Sequence, residues 1–384
     1  MWLLIKLIAY LLGAFAFLAA LVTPAQPVAN TIATSTPPLA TTTPATSALV
    51  ATTTPQVITK KKPAPLPLPK PPPLPVVSVK ISLPEPVIPA PPVLTLSWGE
   101  INEKTRAALV NIICTTKRSG SFNPVSGSGV IIDPRGVILT NAHVAEYFLL
   151  KNYLVPDFVE CLIRTGAPAT NAYRARLLYI APQWIEKNAA KLTETEATGT
   201  GENDFALLLI QESTRPETPL PALFPALAVD WEAETLAQTL KEKYALVAGY
   251  PAGFLGGIAI QRDLNPVSSV AQTGVVFSFK NDQSPDLLEV FGSPLSQEGS
   301  SGGAVVGHDG KLIGIIATAS VGKTTSERTL HAITPRHIEH SFSARNNFSL
   351  QALFAEGDIA HLADEFNKNV APALTKLLEN ALTH

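Results

Sequence analysis

The chain has 384 residues, 46% of them hydrophobic, and a formal net charge of −2. With no basic excess it offers no electrostatic footprint for a polyanion, so nucleic acid is set aside as a partner. More than half of its 34 prolines precede residue 95, so only the later part of the chain can bury a large core.

Trp2 to Val22 is apolar apart from Lys6. At about 1.5 Å per residue such a helix reaches roughly 32 Å, enough for a bilayer core. Residues 1–22 therefore read as a membrane anchor. A cleavable signal peptide, with Thr23-Pro24-Ala25 as its cleavage site, competes with that reading, but the apolar run exceeds a signal core and no clean Ala-x-Ala follows. Lys6 and the amino terminus are the only positive groups before Lys60, which keeps the N-terminus cytoplasmic and the rest outside the cytoplasm. Cleavage near residue 25 would instead give a secreted protein. Residues 23–94 are rich in Pro and Thr, with a basic knot at Lys60-Lys61-Lys62, and read as a disordered, PPII-like stalk. At ~3.1 Å per residue, about 70 such residues would span up to roughly 200 Å.

A folded region is expected over 95–340. Glu100 to Val110 reads as a short helix and Val110 to Cys114 as a first strand. Ser126–Ile132 and the run from Val137 are two β-branched stretches joined by Asp133-Pro134-Arg135-Gly136, a strong hairpin signal, and His143 follows the second at once. Strands are expected at Phe158–Arg164 and Tyr173–Ala181, then a polar insertion from Gln183 to Glu202, then an apolar strand headed by Asp204. Asp133, Asp157, Glu194, Glu196 and Glu202 read as solvated acids. A helix over Glu232–Lys243 leads to Tyr244–Gly253, with further strands at Gly274–Lys280, Leu287–Phe291, Lys311–Ala319 and from His331. Between them lies Gln297–Gly303, where Ser301 has glycine at −2, +1 and +2. A serine in so small-sided a turn can present a hydroxyl nucleophile and backbone N–H groups to a developing oxyanion.

Serine needs a base to remove its proton, an imidazole titrates near the working pH, and a buried carboxylate holds that imidazole in the right tautomer. Gly-Ser-Gly-Val-Ile-Ile at 127–132, Leu-Thr-Asn-Ala-His-Val at 139–144, Asn203-Asp204 before an apolar strand and Gly-x-Ser-Gly-Gly at 299–303 resemble, in order, the motifs of trypsin-like serine peptidases, especially the bacterial HtrA type. Gly249-Tyr250-Pro251-Ala252-Gly253 resembles the strand end that opens that family's second barrel. The resemblance implies an all-β fold of two six-stranded antiparallel Greek-key barrels, about 105–215 and 240–335, with the cleft between them. It implies His143 as base, Asp204 as its orienter and Ser301 as nucleophile, with an oxyanion hole from the N–H groups of Gly299 and Ser301. It places the first strand beside the fourth, so that Cys114 and Cys161 become candidates for a disulfide; two reduced core thiols remain the other reading.

Lys311–Ala319 resembles the family strand whose end pairs with bound substrate, which implies Ala317, Thr318 and Ala319 beside the specificity pocket, where they supply no charge for a basic side chain; small or medium apolar residues before the cut bond suit them better. His331 either lines that pocket and accepts an acidic side chain or closes the barrel. The family often carries a PDZ domain next, but residues 341–384 read as two or three short amphipathic helices, which either pack on the barrel or join two copies. His337 and His340 have no second ligand pair, so no metal is expected, and no cofactor. The expected function is a serine endopeptidase acting on exported or envelope proteins; a peptidase homologue without turnover, serving as an exported peptide-binding module, is the alternative.

Overall fold

The computed structural model describes residues 96–116, 124–193, 200–253, 255, 257–280, 282–319 and 328–383. The expected anchor, the stalk, Glu194 and Glu196 lie outside them. Among the described residues no helix is long and apolar enough to cross a membrane.

A capping box starts helix α1 (Trp98–Ala108): Ser97 Oγ accepts from Glu100 N at 3.3 Å, and Ser97 N donates to Glu100 Oε2 at 2.8 Å. The helix gives way at Leu109, where branched side chains favour the extended backbone. Six strands then close a barrel: β1 (Leu109–Thr116), β2 (Val125–Asp133), β3 (Val137–Thr140), β4 (Val159–Thr165), β5 (Thr170–Ile180) and β6 (Ala206–Ser213). Six more close a second: β7 (Tyr244–Gly249), β8 (Val267–Phe277), β9 (Leu287–Phe291), β10 (Ala304–Val306), β11 (Leu312–Ala319) and β12 (Thr329–Ile333). The orders, β1-β2-β3-β6-β5-β4 and β7-β8-β9-β12-β11-β10, repeat one antiparallel connectivity in which the third strand pairs with the sixth. This is the expected pair of barrels, and closure removes the exposed strand edges. Ile112, Ile131, Ile138 and Leu208 fill the first interior, and Val247, Leu288, Val305 and Ile313 the second.

Several local expectations change. His143 does not extend a strand: β3 stops at Thr140 and a single helical turn, α2 (Ala142–Ala145), runs into a 3-10 turn at Glu146–Leu150. The polar insertion begins with helix α3 (Pro182–Asn188), which buries Trp184 and Ile185. Asp133 is buried rather than solvated, because Arg135 clasps its carboxylate from two residues away, with Nη2 on Oδ2 at 2.8 Å. β8 starts seven residues before the expected strand at Gly274, since Val267–Ala271 pairs with β7. Helices α4 (Glu234–Glu242) and α5 (Gly257–Arg262) flank β7.

Arg164 ties the barrels together. It is fully buried on β4, and it donates to Ile260 O (2.9 Å) and Gln261 O (2.8 Å) near the C-terminus of α5, to Ala169 O (2.6 Å) and to Asn111 Oδ1 (3.3 Å). A cation on the free carbonyls of a helix end complements the helix dipole. The chain ends in four helices, α6 (Pro335–Asn346), α7 (Leu350–Glu356), α8 (Ile359–Asn369) and α9 (Ala371–Thr383). The first was not expected; Thr334 caps it through His337 N at 3.2 Å, with Pro335 at its first position. The last two pack on the first barrel of their own chain: the Phe366 ring lies 5.6 Å from Tyr179, Asn367 Nδ2 donates to Leu177 O at 2.6 Å, and Thr375 Oγ1 to Leu149 O at 3.2 Å.

Cys114 and Cys161 face each other across β1 and β4 and are bonded, with an S–S distance of 2.04 Å and a sequence separation of 47. Closing a loop of that length removes chain entropy worth about 4 kcal/mol from the unfolded state. Native oxidised protein should therefore show no titratable thiol, and Cys114→Ser/Cys161→Ser should unfold at a markedly lower denaturant concentration with up to that loss; a free thiol in the native protein would contradict the bridge.

Candidate active site

His143 owes its position to the N-terminus of α2. Asn141, the N-cap, donates its Nδ2 to Asp204 O at 2.9 Å, while the unpaired backbone N–H of His143 in the first turn donates to Asp204 Oδ1 at 3.0 Å. A carboxylate is favoured there, where helix N–H groups have no intrahelical acceptor. The second oxygen, Oδ2, lies 2.8 Å from His143 Nδ1. Asp204 itself sits in a turn after Asn203, whose φ is 62°, two residues before β6. Both oxygens of a carboxylate whose side chain is only 2% exposed are thus satisfied by one histidine.

That arrangement sets the charge. Burial pushes the His143 pKa down, but the charge and hydrogen bond of Asp204 outweigh it and leave the imidazole more basic than usual. With Nδ1–H on the carboxylate, the neutral ring keeps Nε2 as an acceptor. Its side chain is 33% exposed.

Ser301 comes from the second barrel, and Ser128 on β2 holds it. Ser128 N donates to Ser301 O at 2.7 Å, Ser128 Oγ donates to Gly299 O at 2.7 Å and accepts from Tyr250 N at 2.8 Å, and Thr140 Oγ1 donates to Ser128 O at 2.7 Å. Gly302 has φ +82°, and a Cβ there would stand 2.0 Å from Ser128 O and 2.5 Å from Thr140 Oγ1. Gly127, the neighbour of Ser128, allows Val144 to approach to 2.6 Å from where its Cβ would be. So the serine loop and the histidine turn lean on adjacent residues of one strand. Ser301 is partly exposed. Among the described residues no hydrogen bond joins its Oγ to His143.

Gly299 has φ +84°. The preceding carbonyl, Glu298 O, accepts from Ala252 N at 2.8 Å; across a trans peptide the N–H of Gly299 must then point the opposite way. Neither that N–H nor the N–H of Ser301 has an acceptor among the described residues. Two unpaired donors two residues apart suit an oxygen bearing negative charge.

Two residues that the sequence did not single out stand beside the imidazole. Glu146 is buried; burial first, and the Asp204 charge second, raise its carboxyl to about 8, although His143 and Trp184 pull the other way. The Trp184 ring lies 6.3 Å from that of His143. Three residues beyond His143 is a helical neighbour, a signal visible only if that stretch is read as a turn of helix. Of the expected pocket residues, Ala317 is buried, Thr318 faces His331 after a bulge that follows Ile316, and Ala319 pairs with Leu330. The His331 ring is edge-on to Phe277 at 6.0 Å.

Residues 127–315 match the family model of the trypsin-like peptidase domain. This region is a trypsin-like peptidase domain. The match runs from within β2 to within β11, so β1 and β12, which complete the barrels of the peptidase domain, lie just beyond it. Among solved structures, the chain is similar to the active form of the Rv3671c protease from M. tuberculosis at 18% identity, with 68% of this chain and 93% of that one covered and a TM-score of 0.37. It is similar to the inactive form of the Rv3671c protease at 17% identity, with 64% and 93% covered and a TM-score of 0.38. The curated proteins contain no match.

Ser128→Ala would strand the Tyr250 N–H and the Gly299 carbonyl in a buried place, at about 1–3 kcal/mol for each unsatisfied group. We expect a lower melting temperature together with slower turnover in the peptidase domain; unchanged melting would show that the loop is held without this hydroxyl.

Proposed function

We propose that the chain is an exported serine endopeptidase of the HtrA-like type, cutting exported or envelope proteins through an acyl-enzyme. The reading is carried by one observation: both oxygens of buried Asp204 are engaged by His143. Ser301 Oγ attacks the scissile carbonyl carbon while His143 Nε2 takes its proton. Asp204 keeps the ring in place and stabilises the imidazolium. The carbonyl oxygen, now negative, is received by the N–H groups of Gly299 and Ser301, which need no reorganisation because nothing in the described protein occupies them. The imidazolium then protonates the leaving amine, and water, activated by the same His143, releases the acyl group from Ser301.

In this proposal Ala317, Thr318, Ala319 and His331 line the pocket for the residue before the cut bond, which is small or medium and apolar. Residues 2–22 tether the enzyme to the membrane, and residues 23–94 space it away. The disulfide supports the exported location, since such bonds persist in oxidising compartments. A second reading, a peptidase homologue that binds peptides without turnover, is favoured by the missing Ser301–His143 hydrogen bond, although such bonds often tighten only with substrate bound.

A fluorophosphonate probe decides between the two. It should label the wild type and not Ser301→Ala; a folded wild type that resists the probe but retains peptide would support the binding module. Asp204→Asn should reduce kcat by roughly 10⁴-fold. As His143 must be neutral to act and its pKa is raised, kcat/KM should climb with pH through a midpoint above about 6.5. A midpoint below that value would mean that burial, not Asp204, governs the ring.

A further inference from the structure

One buried carboxyl beside the triad takes no part in acyl transfer as described. Glu146 opens the 3-10 turn that continues α2, and its backbone N–H donates to Ala142 O. The residue is 7% exposed, with no cation of Lys or Arg among the groups acting on it. Those groups are the His143 imidazole from α2, the Asp204 carboxylate from the turn before β6 and the Trp184 indole from α3; on its own turn the carboxyl bears on the Tyr147 phenol. The charges of β4 and β5, which also pack on the turn, are paired elsewhere. Glu160 of β4 pairs with Arg174 of β5 at 3.0 Å, Arg176 of β5 pairs with Asp364, and Arg164 of β4 binds carbonyls around α5. From α9 comes the Thr375 hydroxyl, on Leu149 O.

The site therefore holds two carboxyls and one imidazole. Like charges in a buried place do not both ionise, so one acid keeps its proton. Asp204 has two donors from His143; Glu146 has none formed. The Trp184 Nε1–H is buried with no acceptor in bonding geometry, yet it acts on the Glu146 carboxyl in the sense that favours ionisation. An indole N–H can only donate, and a neutral carboxyl is a weaker acceptor than a carboxylate.

We propose that Glu146 is a positioning residue of this site, acting through His143 and the Trp184 indole. As a neutral acid it leaves Asp204 alone to hold the imidazole. As a carboxylate it captures the Trp184 N–H, fixes the indole beside the ring, and adds a second negative charge to stabilise the imidazolium formed when Ser301 loses its proton. The inference rests on the peptidase reading for its kinetic consequence, but not for the titration itself.

The test uses the full chain with ¹⁵N-labelled tryptophan. In the wild type the Trp184 indole N–H resonance should shift with a midpoint near pH 8, the value to which the carboxyl is raised, and kcat/KM should rise in two steps, the first from His143 and the second at that same midpoint. Glu146→Gln should lose both the indole step and the second kinetic step while keeping the first. Trp184→Phe keeps the packing and removes the donor, so its second kinetic step should move to higher pH. An indole resonance that does not titrate in the wild type, or one that still titrates in Glu146→Gln, overturns the proposal. An indole step without probe labelling of Ser301 would sink the peptidase reading and leave the Glu146–Trp184 pair standing.

Discussion

The contact on which the site depends is the grip of Ser128, in the middle of a first-barrel strand, on the glycine-rich loop of the second barrel. Its backbone N–H and hydroxyl take the carbonyls of Ser301 and Gly299. Those two carbonyls alternate with the two N–H groups left free, so fixing one set aims the other. The grip works only because Gly127 and Gly302 lack side chains where the barrels and the histidine turn close in. A Cβ at Gly302 would displace the strand backbone itself, which cannot yield as a flexible side-chain end would.

Charge is managed by pairing within the site and by helix ends outside it. Asp204 is buried at little cost because a backbone N–H at the start of α2 and an imidazole satisfy it. Arg164, equally buried, has no carboxylate at all; four oxygens, two of them near the end of α5, satisfy it instead. One ion thus holds an imidazole, and the other locks the entry loop of the second barrel to the first.

The C-terminal helices belong to this mechanics. α9 packs on the 3-10 turns and on α3, the elements that carry Glu146 and Trp184. Asn203, next to Asp204, accepts from Ser341 of α6 at 2.7 Å. Behind it His337 and Asp286 form a buried pair, Nδ1 to Oδ1 at 3.0 Å, with burial drawing the histidine below its usual pKa against the pull of Asp286. The outer face of the histidine and aspartate elements is therefore supported by the last fifty residues.

Most strands, the Asp-Pro-x-Gly hairpin and the glycine turn around Ser301 were legible in the sequence because alternation and turn chemistry are local properties, whereas the pair of barrels and the grouping of His143, Asp204 and Ser301 were implied by the resemblance to trypsin-like peptidases. The sequence misread the stretch around Trp184 as a polar insertion, since two buried residues in a short helix leave little periodicity, and it took Asp133 for a solvated acid because the clasp by Arg135 is a matter of rotamer. What only the tertiary structure decided is which groups meet. Ser128 and Gly299 are 171 residues apart, and Glu146 owes its raised pKa first to burial and then to the charge of Asp204, which arrives from a separate element. Burial and long-range proximity set those relations, and neither is encoded in the spacing of neighbouring residues.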